Sequence, residues 1–197
     1  EMIYHAKSVA KACSHAFVVC DMPFGSYQVN RDEGVRNAIR IMKESGADAV
    51  KLEGGSEIID TIKGILAAGI PVVGHLGLTP QSVHKFGGYG VRAKDEAEAA
   101  KLLSDAKLLD EAGVCALVLE KVPHKLAAEV SKQIEAPTIG IGAGNETDGQ
   151  VLVYADAMGM THGFKPKFLR VFADVSKCMS EGIADYMKCV KEQTFPN

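Results

Sequence analysis

No apolar run in this chain approaches the ~20 residues that a membrane-spanning helix needs, which excludes that class of protein. There is no Cys-x-x-Cys pair, and no cysteine–histidine cluster has the spacing of a zinc site. The five cysteines, Cys13, Cys20, Cys115, Cys178 and Cys189, are odd in number and scattered. Such a set points to a reducing compartment and to thiols without a catalytic role. Charge of one sign is also lacking. Twenty-two basic and 25 acidic residues leave a net charge of −3, so nothing electrostatic favours nucleic acid or an anionic membrane as partner. Linkers, low-complexity tracts and internal repeats are absent, which predicts a single domain over residues 1–197. The start is not signal-like, and Glu1 is not an initiator methionine, so the natural N-terminus is expected upstream.

What is present is a globular composition, 47% apolar and 24% charged over 197 residues, enough for a sizeable core. Six short apolar runs each end in a polar or glycine-rich tip. Phe17–Cys20 ends at Asp21, and Ala49–Val50 leads into Lys51 and Glu53. Val72–Val73 leads into Gly74 and His75, and Leu117–Leu119 ends at Glu120. Thr138–Ile141 ends in Gly142–Gly144, and Val151–Tyr154 runs up to Asp156. Amphipathic stretches separate them at 2–13, 32–45, 58–69, 95–112 and 126–134, and a last one covers 174–191. Gly46 stands where a helix C-cap belongs. This alternation predicts parallel strands with right-handed helical crossovers. It fails once, at GAGNETDGQ, too short and too rich in glycine for a helix and read as a tight loop at the site mouth. Six strands are too few to close an eight-stranded barrel.

In a barrel of such units the chemistry sits at the C-terminal ends of the strands. Asp21 at a strand tip suits a hard cation, since magnesium takes only one or two protein carboxylates; a helix cap or salt bridge is the competing reading. Lys51 and Glu53 in VKLEGG alternate onto one strand face, where they serve a substrate or form a buried ion pair. His75 in GHLGLTPQS is either a satisfied core histidine or a site residue. Glu120 ends its strand as a carboxylate placed for proton transfer, or pairs with a lysine. GIGAGNETDG can cradle an anion through backbone N–H groups, but lacks the strand–GxGxxG–helix setting of a dinucleotide site. FGGYGV at 86–91 reads as a mobile lid or a turn.

Together CDMPFGSY, VKLEGG, PVVGHLGLTPQSVHKFGGYGV, LVLEKVP, IGIGAGNETDGQVLV and PKFLRVF, in this order, resemble the ketopantoate (3-methyl-2-oxobutanoate) hydroxymethyltransferase family over essentially the whole chain. The resemblance implies a (βα)8 TIM barrel of the phosphoenolpyruvate mutase-like superfamily, here lacking the first two βα units. It implies transfer of a hydroxymethyl group from 5,10-methylenetetrahydrofolate to 3-methyl-2-oxobutanoate through a magnesium-stabilised enolate, giving 2-dehydropantoate for pantothenate biosynthesis. Mg2+ is the implied cofactor and the folate the co-substrate. Asp21 matches a magnesium ligand that also meets the substrate. Glu53 matches an acid that acts on the metal through water. Lys51 matches the contact to the keto acid's carboxylate, His75 an active-site histidine that meets the substrate, and Glu120 the catalytic base. A homo-oligomer, a decamer in the family, is implied, with neither nucleic acid nor membrane as partner. The implied setting is cytoplasmic, or mitochondrial in a eukaryote.

Three features depart from the family pattern. Lys121 stands where a small or apolar residue is expected, and Ala155 where a histidine is frequent. A Gly-Asp-Ser strand tip, which carries the other magnesium ligand, does not occur in this sequence. Two alternatives stay open: another magnesium-dependent 2-oxo acid mutase or lyase of the superfamily, and a truncated, non-catalytic fragment.

Overall fold

The computed structural model describes residues 1–163 and 165–196. The chain packs as two units, residues 1–150 and 151–197.

The first unit opens with helix α1 (Met2–Ala12) and strand β1 (Val19–Asp21). Helix α2 (Arg31–Ser45) follows. Asn30 caps it by accepting the Glu33 N–H at 2.9 Å, and Gly46 ends it at a φ of 76°, as its position in the sequence predicts. Next come β2 (Ala49–Glu53), α3 (Ile59–Ala67), β3 (Val72–Gly77) and the single turn α4 (Val83–Phe86). Then follow α5 (Glu96–Ala112), β4 (Ala116–Glu120), α6 (His124–Gln133), β5 (Thr138–Ile141) and β6 (Gly149–Gln150). All six strands are parallel and lie side by side in chain order. This is the arrangement that consecutive βα units adopt in a barrel wall.

Side chains alternate across this wall and give its two faces different chemistry. Val50, Leu52, Val72, Leu76, Leu117 and Leu119 belong to the large core that also takes in Ile62, Ile65, Leu109 and Val130 of the helices. On the other face Ala49, Val73, Ala116 and Val118 form a separate small cluster, with Ile139 and Ile141 packed against it. The polar tips share that second face, one and two steps further along the same strands.

The sixth strand differs from the expectation. Val151–Tyr154 is not a strand: Gly149–Gln150 pairs with β5 instead, and Tyr154–Ala157 forms a short helix, α7. The cause lies in the loop before it. The carboxylate Oδ2 of Asp148 accepts both the backbone N–H and the hydroxyl of Thr138, each at 2.8 Å. Gln150 Nε2 donates to the Gly144 carbonyl at 2.9 Å. These bonds fold GAGNETDGQ tightly and return the chain to pairing register before the apolar residues arrive. Strand β1 also begins later than expected. The Val18 N–H is taken by Asp48 Oδ2 at 2.8 Å, and Phe17 is exposed.

The Asp148 clasp has a measurable pH signature. The Thr138 N–H, and after it the Thr138 hydroxyl, hold the Asp148 carboxyl below its ordinary range. A carboxyl lowered in the folded state stabilises above its unfolded value, and that stabilisation disappears as the pH falls through the lowered one. Asp148→Ala is expected to cost about 1 kcal/mol at neutral pH, a small figure because the group faces water. Urea melts of the two proteins should differ at neutral pH and converge in strong acid.

The second unit contains α7 and helix α8 (Val175–Lys191), which Asp174 caps by accepting the Lys177 N–H at 3.1 Å. The backbone of residues 171–175 folds onto α7 through Phe172 N–H to Ala157 and Val175 N–H to Met158. Ala155 lies in α7. No helix among the described residues is long and apolar enough to cross a membrane.

Candidate active site

The parallel register brings the strand tips together. Asp21 stands beside Lys51, Glu53 beside His75, and Glu120 beside Gly77. On the shared face Lys51 Nζ lies 2.9 Å from Asp21 Oδ2 and 3.3 Å from His75 Nδ1. His75 Nδ1 is 3.8 Å from Glu53 Oε1, and its Nε2 is 3.4 Å from Glu120 Oε2. All five residues singled out in the sequence therefore meet in one cluster above the small apolar patch. His75 is at its centre and only 3% exposed.

The histidine's orientation follows from its neighbours. An ammonium group only donates hydrogen bonds. The ring nitrogen facing Lys51 is therefore the acceptor, and the ring proton sits on Nε2, toward Glu120. Nε2 has no hydrogen-bond partner within the protein, although it is buried. A buried donor left open in this way is suited to a substrate oxygen.

Of the three carboxylates in the cluster, Glu53 is the most buried. Burial pushes its pKa up, against the lowering effects of the Gln81 N–H, His75 and Lys51. Its Oε2 accepts the Gln81 N–H at 2.9 Å, and its backbone N–H donates to the Tyr27 hydroxyl at 3.1 Å. That hydroxyl donates in turn to Gln81 Oε1 at 2.7 Å. Gln81 Nε2 closes the network on the Met22 carbonyl at 2.8 Å. Tyr27 and Gln81 thus fix Glu53 and tie the segment after β1 to the segment after β3. Neither was singled out in the sequence, although each sits in a distinctive run, CDMPFGSY and GHLGLTPQS.

Gly77 sets the position of Glu120. It has a φ of +92°, and a Cβ there would lie 2.3 Å from the Glu120 carbonyl oxygen. Only glycine lets the end of β3 press so closely on the tip of β4. Leu78 N–H then donates to the same carbonyl at 2.8 Å. The departure noted at Lys121 has a local role. Its Nζ donates to the Tyr89 carbonyl, and its own carbonyl accepts the Arg92 N–H, so it straps the glycine-rich segment 87–92 beside β4.

One atom bears on metal binding. Asp21 Oδ1 is buried without a hydrogen-bond partner, while Oδ2 is engaged by Lys51. An orphaned carboxylate oxygen is costly in the interior, and a hard cation that keeps most of its waters would satisfy it. The residues present fit magnesium in this respect. Among the described residues, no group of three or more histidine, cysteine, aspartate or glutamate side chains is placed to hold a metal ion.

The ketopantoate hydroxymethyltransferase family profile matches residues 1–197. Proteins named 3-methyl-2-oxobutanoate hydroxymethyltransferase are similar throughout. Those of Bacteroides fragilis and Bacteroides thetaiotaomicron are each 60% identical over 197 residues, that is over all of this chain and 72% of theirs. That of Thermoanaerobacter pseudethanolicus is 52% identical over the same span. Among solved structures, phosphoenolpyruvate phosphomutase from Streptomyces platensis matches 97% of this chain and 67% of its own, with a TM-score of 0.55 at 13% identity. Orotidine 5'-monophosphate decarboxylase from Methanocaldococcus jannaschii matches 77% and 69%, with a TM-score of 0.55 at 16% identity. At such low identity these two report fold alone. By the profile and by identity along its full length, the chain belongs to the ketopantoate hydroxymethyltransferase family.

Proposed function

We propose that the cluster binds 3-methyl-2-oxobutanoate and prepares it to accept a hydroxymethyl group from 5,10-methylenetetrahydrofolate, giving 2-dehydropantoate for pantothenate biosynthesis. The observation that carries this reading is the convergence of Lys51, His75 and Glu120 on one buried spot. A cation, an open N–H donor and a carboxylate are what enolisation of a 2-oxo acid requires. Lys51 holds the substrate carboxylate and offsets the charge that grows as the proton leaves. The His75 Nε2–H donates to a substrate oxygen. Glu120 takes the proton from the carbon next to the keto group. That carbon then bonds to the folate's methylene carbon as one of the latter's two bonds to nitrogen breaks; water supplies the hydroxyl that replaces the second nitrogen and the proton that nitrogen takes up, which releases the hydroxymethyl product and tetrahydrofolate. Asp21 would hold magnesium directly and Glu53 through water; when bound, the ion supplies Lewis-acid stabilisation of the enolate charge. Assembly into a homo-oligomer, completion of an eight-stranded barrel and a cytoplasmic setting belong to the same proposal and rest on family membership.

The test needs no folate. The chain, with magnesium and 3-methyl-2-oxobutanoate in D2O, is expected to exchange the proton on the carbon next to the keto group, read by NMR. Binding of the keto acid without any exchange overturns the reading.

A further inference from the structure

Glu53, His75 and Asp105 are the buried acidic and basic side chains among the described residues. The first two belong to the strand-tip cluster. Asp105 lies outside it, on α5, is 6% exposed, and has no part in the reaction proposed above. A buried ion pair is often no more stabilising than apolar side chains of the same volume. Stability alone therefore gives no reason for a carboxylate at this position.

Its contacts supply one. Oδ1 accepts the Ser56 N–H at 3.2 Å, and Oδ2 pairs with Lys101, one turn earlier on α5. Lys101 Nζ continues to the Ser56 hydroxyl at 3.2 Å and to Glu57 Oε1 at 3.1 Å. Both carboxylate oxygens thus grip the same turn, one directly and one through the ammonium. Gly55 is fitted to this contact. A Cβ there would lie 2.3 Å from the Asp105 carboxyl carbon, so only glycine lets the backbone come up against the carboxylate. The turn held in this way follows directly on Glu53. The chain before it is held by β2–β3 pairing, by the Tyr27 hydroxyl on the Glu53 N–H, and by the Gly54 N–H on the His75 carbonyl at 3.1 Å.

We propose that Asp105 is a positioning residue for Glu53: from α5 it anchors the Gly55–Ser56 backbone, and so fixes where the end of β2 presents the Glu53 carboxylate to His75 and Gln81. The kinetic part of the inference rests on the function proposed above, to which it adds a residue outside the cluster. The geometric part stands without it. The backbone N–H of Gln81, which donates to Glu53 Oε2 at 2.9 Å, reports the position of that carboxylate in the absence of substrate and metal.

Asp105→Leu and Asp105→Asn in the full chain test this. Leucine keeps the bulk and removes the acceptor; asparagine keeps an acceptor for the Ser56 N–H. In Asp105→Leu the rate of proton exchange at saturating 3-methyl-2-oxobutanoate is expected to fall roughly 10–10²-fold, the effect of a small misplacement. KM for the keto acid, which Lys51 holds, should stay unchanged. The Gln81 amide proton should move upfield as its bond to Glu53 lengthens. Asp105→Asn should restore most of the rate and the Gln81 signal. A purely structural role in α5 would leave that signal in place. Thermal melts verify folding; if Asp105→Leu does not fold, Lys101→Met, at a half-exposed side chain, takes its place with the same expected pattern. An unshifted Gln81 signal in the folded variant, or an asparagine variant as impaired as the leucine one, overturns the proposal. If the unaltered chain shows no exchange, the proposed function fails, and the Gln81 signal still decides the role of Asp105.

Discussion

Glu120→Gln is expected to lower turnover by roughly 10²–10⁴-fold, the range that general base catalysis contributes. Glutamine has the same shape and still meets His75 across the 3.4 Å gap, but it cannot take up a proton. The backbone of residue 120 is fixed by β4 pairing and by Leu78 N–H, neither of which involves its side chain. Folding should therefore be unaffected. Magnesium binding should also survive, because the unpartnered oxygen belongs to Asp21 on the far side of Lys51. The informative combination is a lost proton exchange with retained magnesium titration and an unchanged melting curve. If exchange and turnover both persist, Glu120 is not the base.

How far the sequence could reveal this site depends on the range of the interactions. The alternation in VKLEGG places Lys51 and Glu53 on one face, because period two is local information. The end of α2 is legible for the same reason: Gly46 acts within one turn of its own helix. That His75 lies beside Glu53 rather than one residue along is a matter of register. Register is set by which faces the flanking helices bury and is not written at either strand. The Tyr27–Gln81 bond joins residues 54 apart, in the segments after β1 and β3, so no local pattern announces it. Apolar content points to Val151–Tyr154 as the sixth strand, whereas Gly149–Gln150 pairs with β5. Pairing was decided instead by polar residues, Asp148 on Thr138 and Gln150 on Gly144, two residues with little strand propensity supplying the bonds.

Lys51→Met is expected to lower turnover by roughly 10²–10³-fold, comparable to removing one preorganised charge-stabilising donor. Three consequences follow from the contacts of Nζ. The keto acid loses the cation that meets its carboxylate, so its KM rises. The enolate loses a fixed positive charge, so kcat falls. The third consequence is structural and can be read without substrate. Nδ1 of His75 accepts from the ammonium in the unaltered protein, which fixes the ring proton on Nε2. Methionine fills the space without donating, and Glu53 Oε1, 3.8 Å away, becomes the nearest polar group facing Nδ1. Glu53 Oε1, 3.8 Å from Nδ1, then competes with Glu120 Oε2, 3.4 Å from Nε2, for the ring proton, so the single tautomer that presents Nε2–H to the substrate is no longer enforced. Nitrogen-15 NMR of the labelled histidine separates the two tautomers. A variant with reduced kcat and an unshifted His75 would leave Lys51 a role in charge stabilisation alone. A variant with normal kcat would remove it from the chemistry altogether.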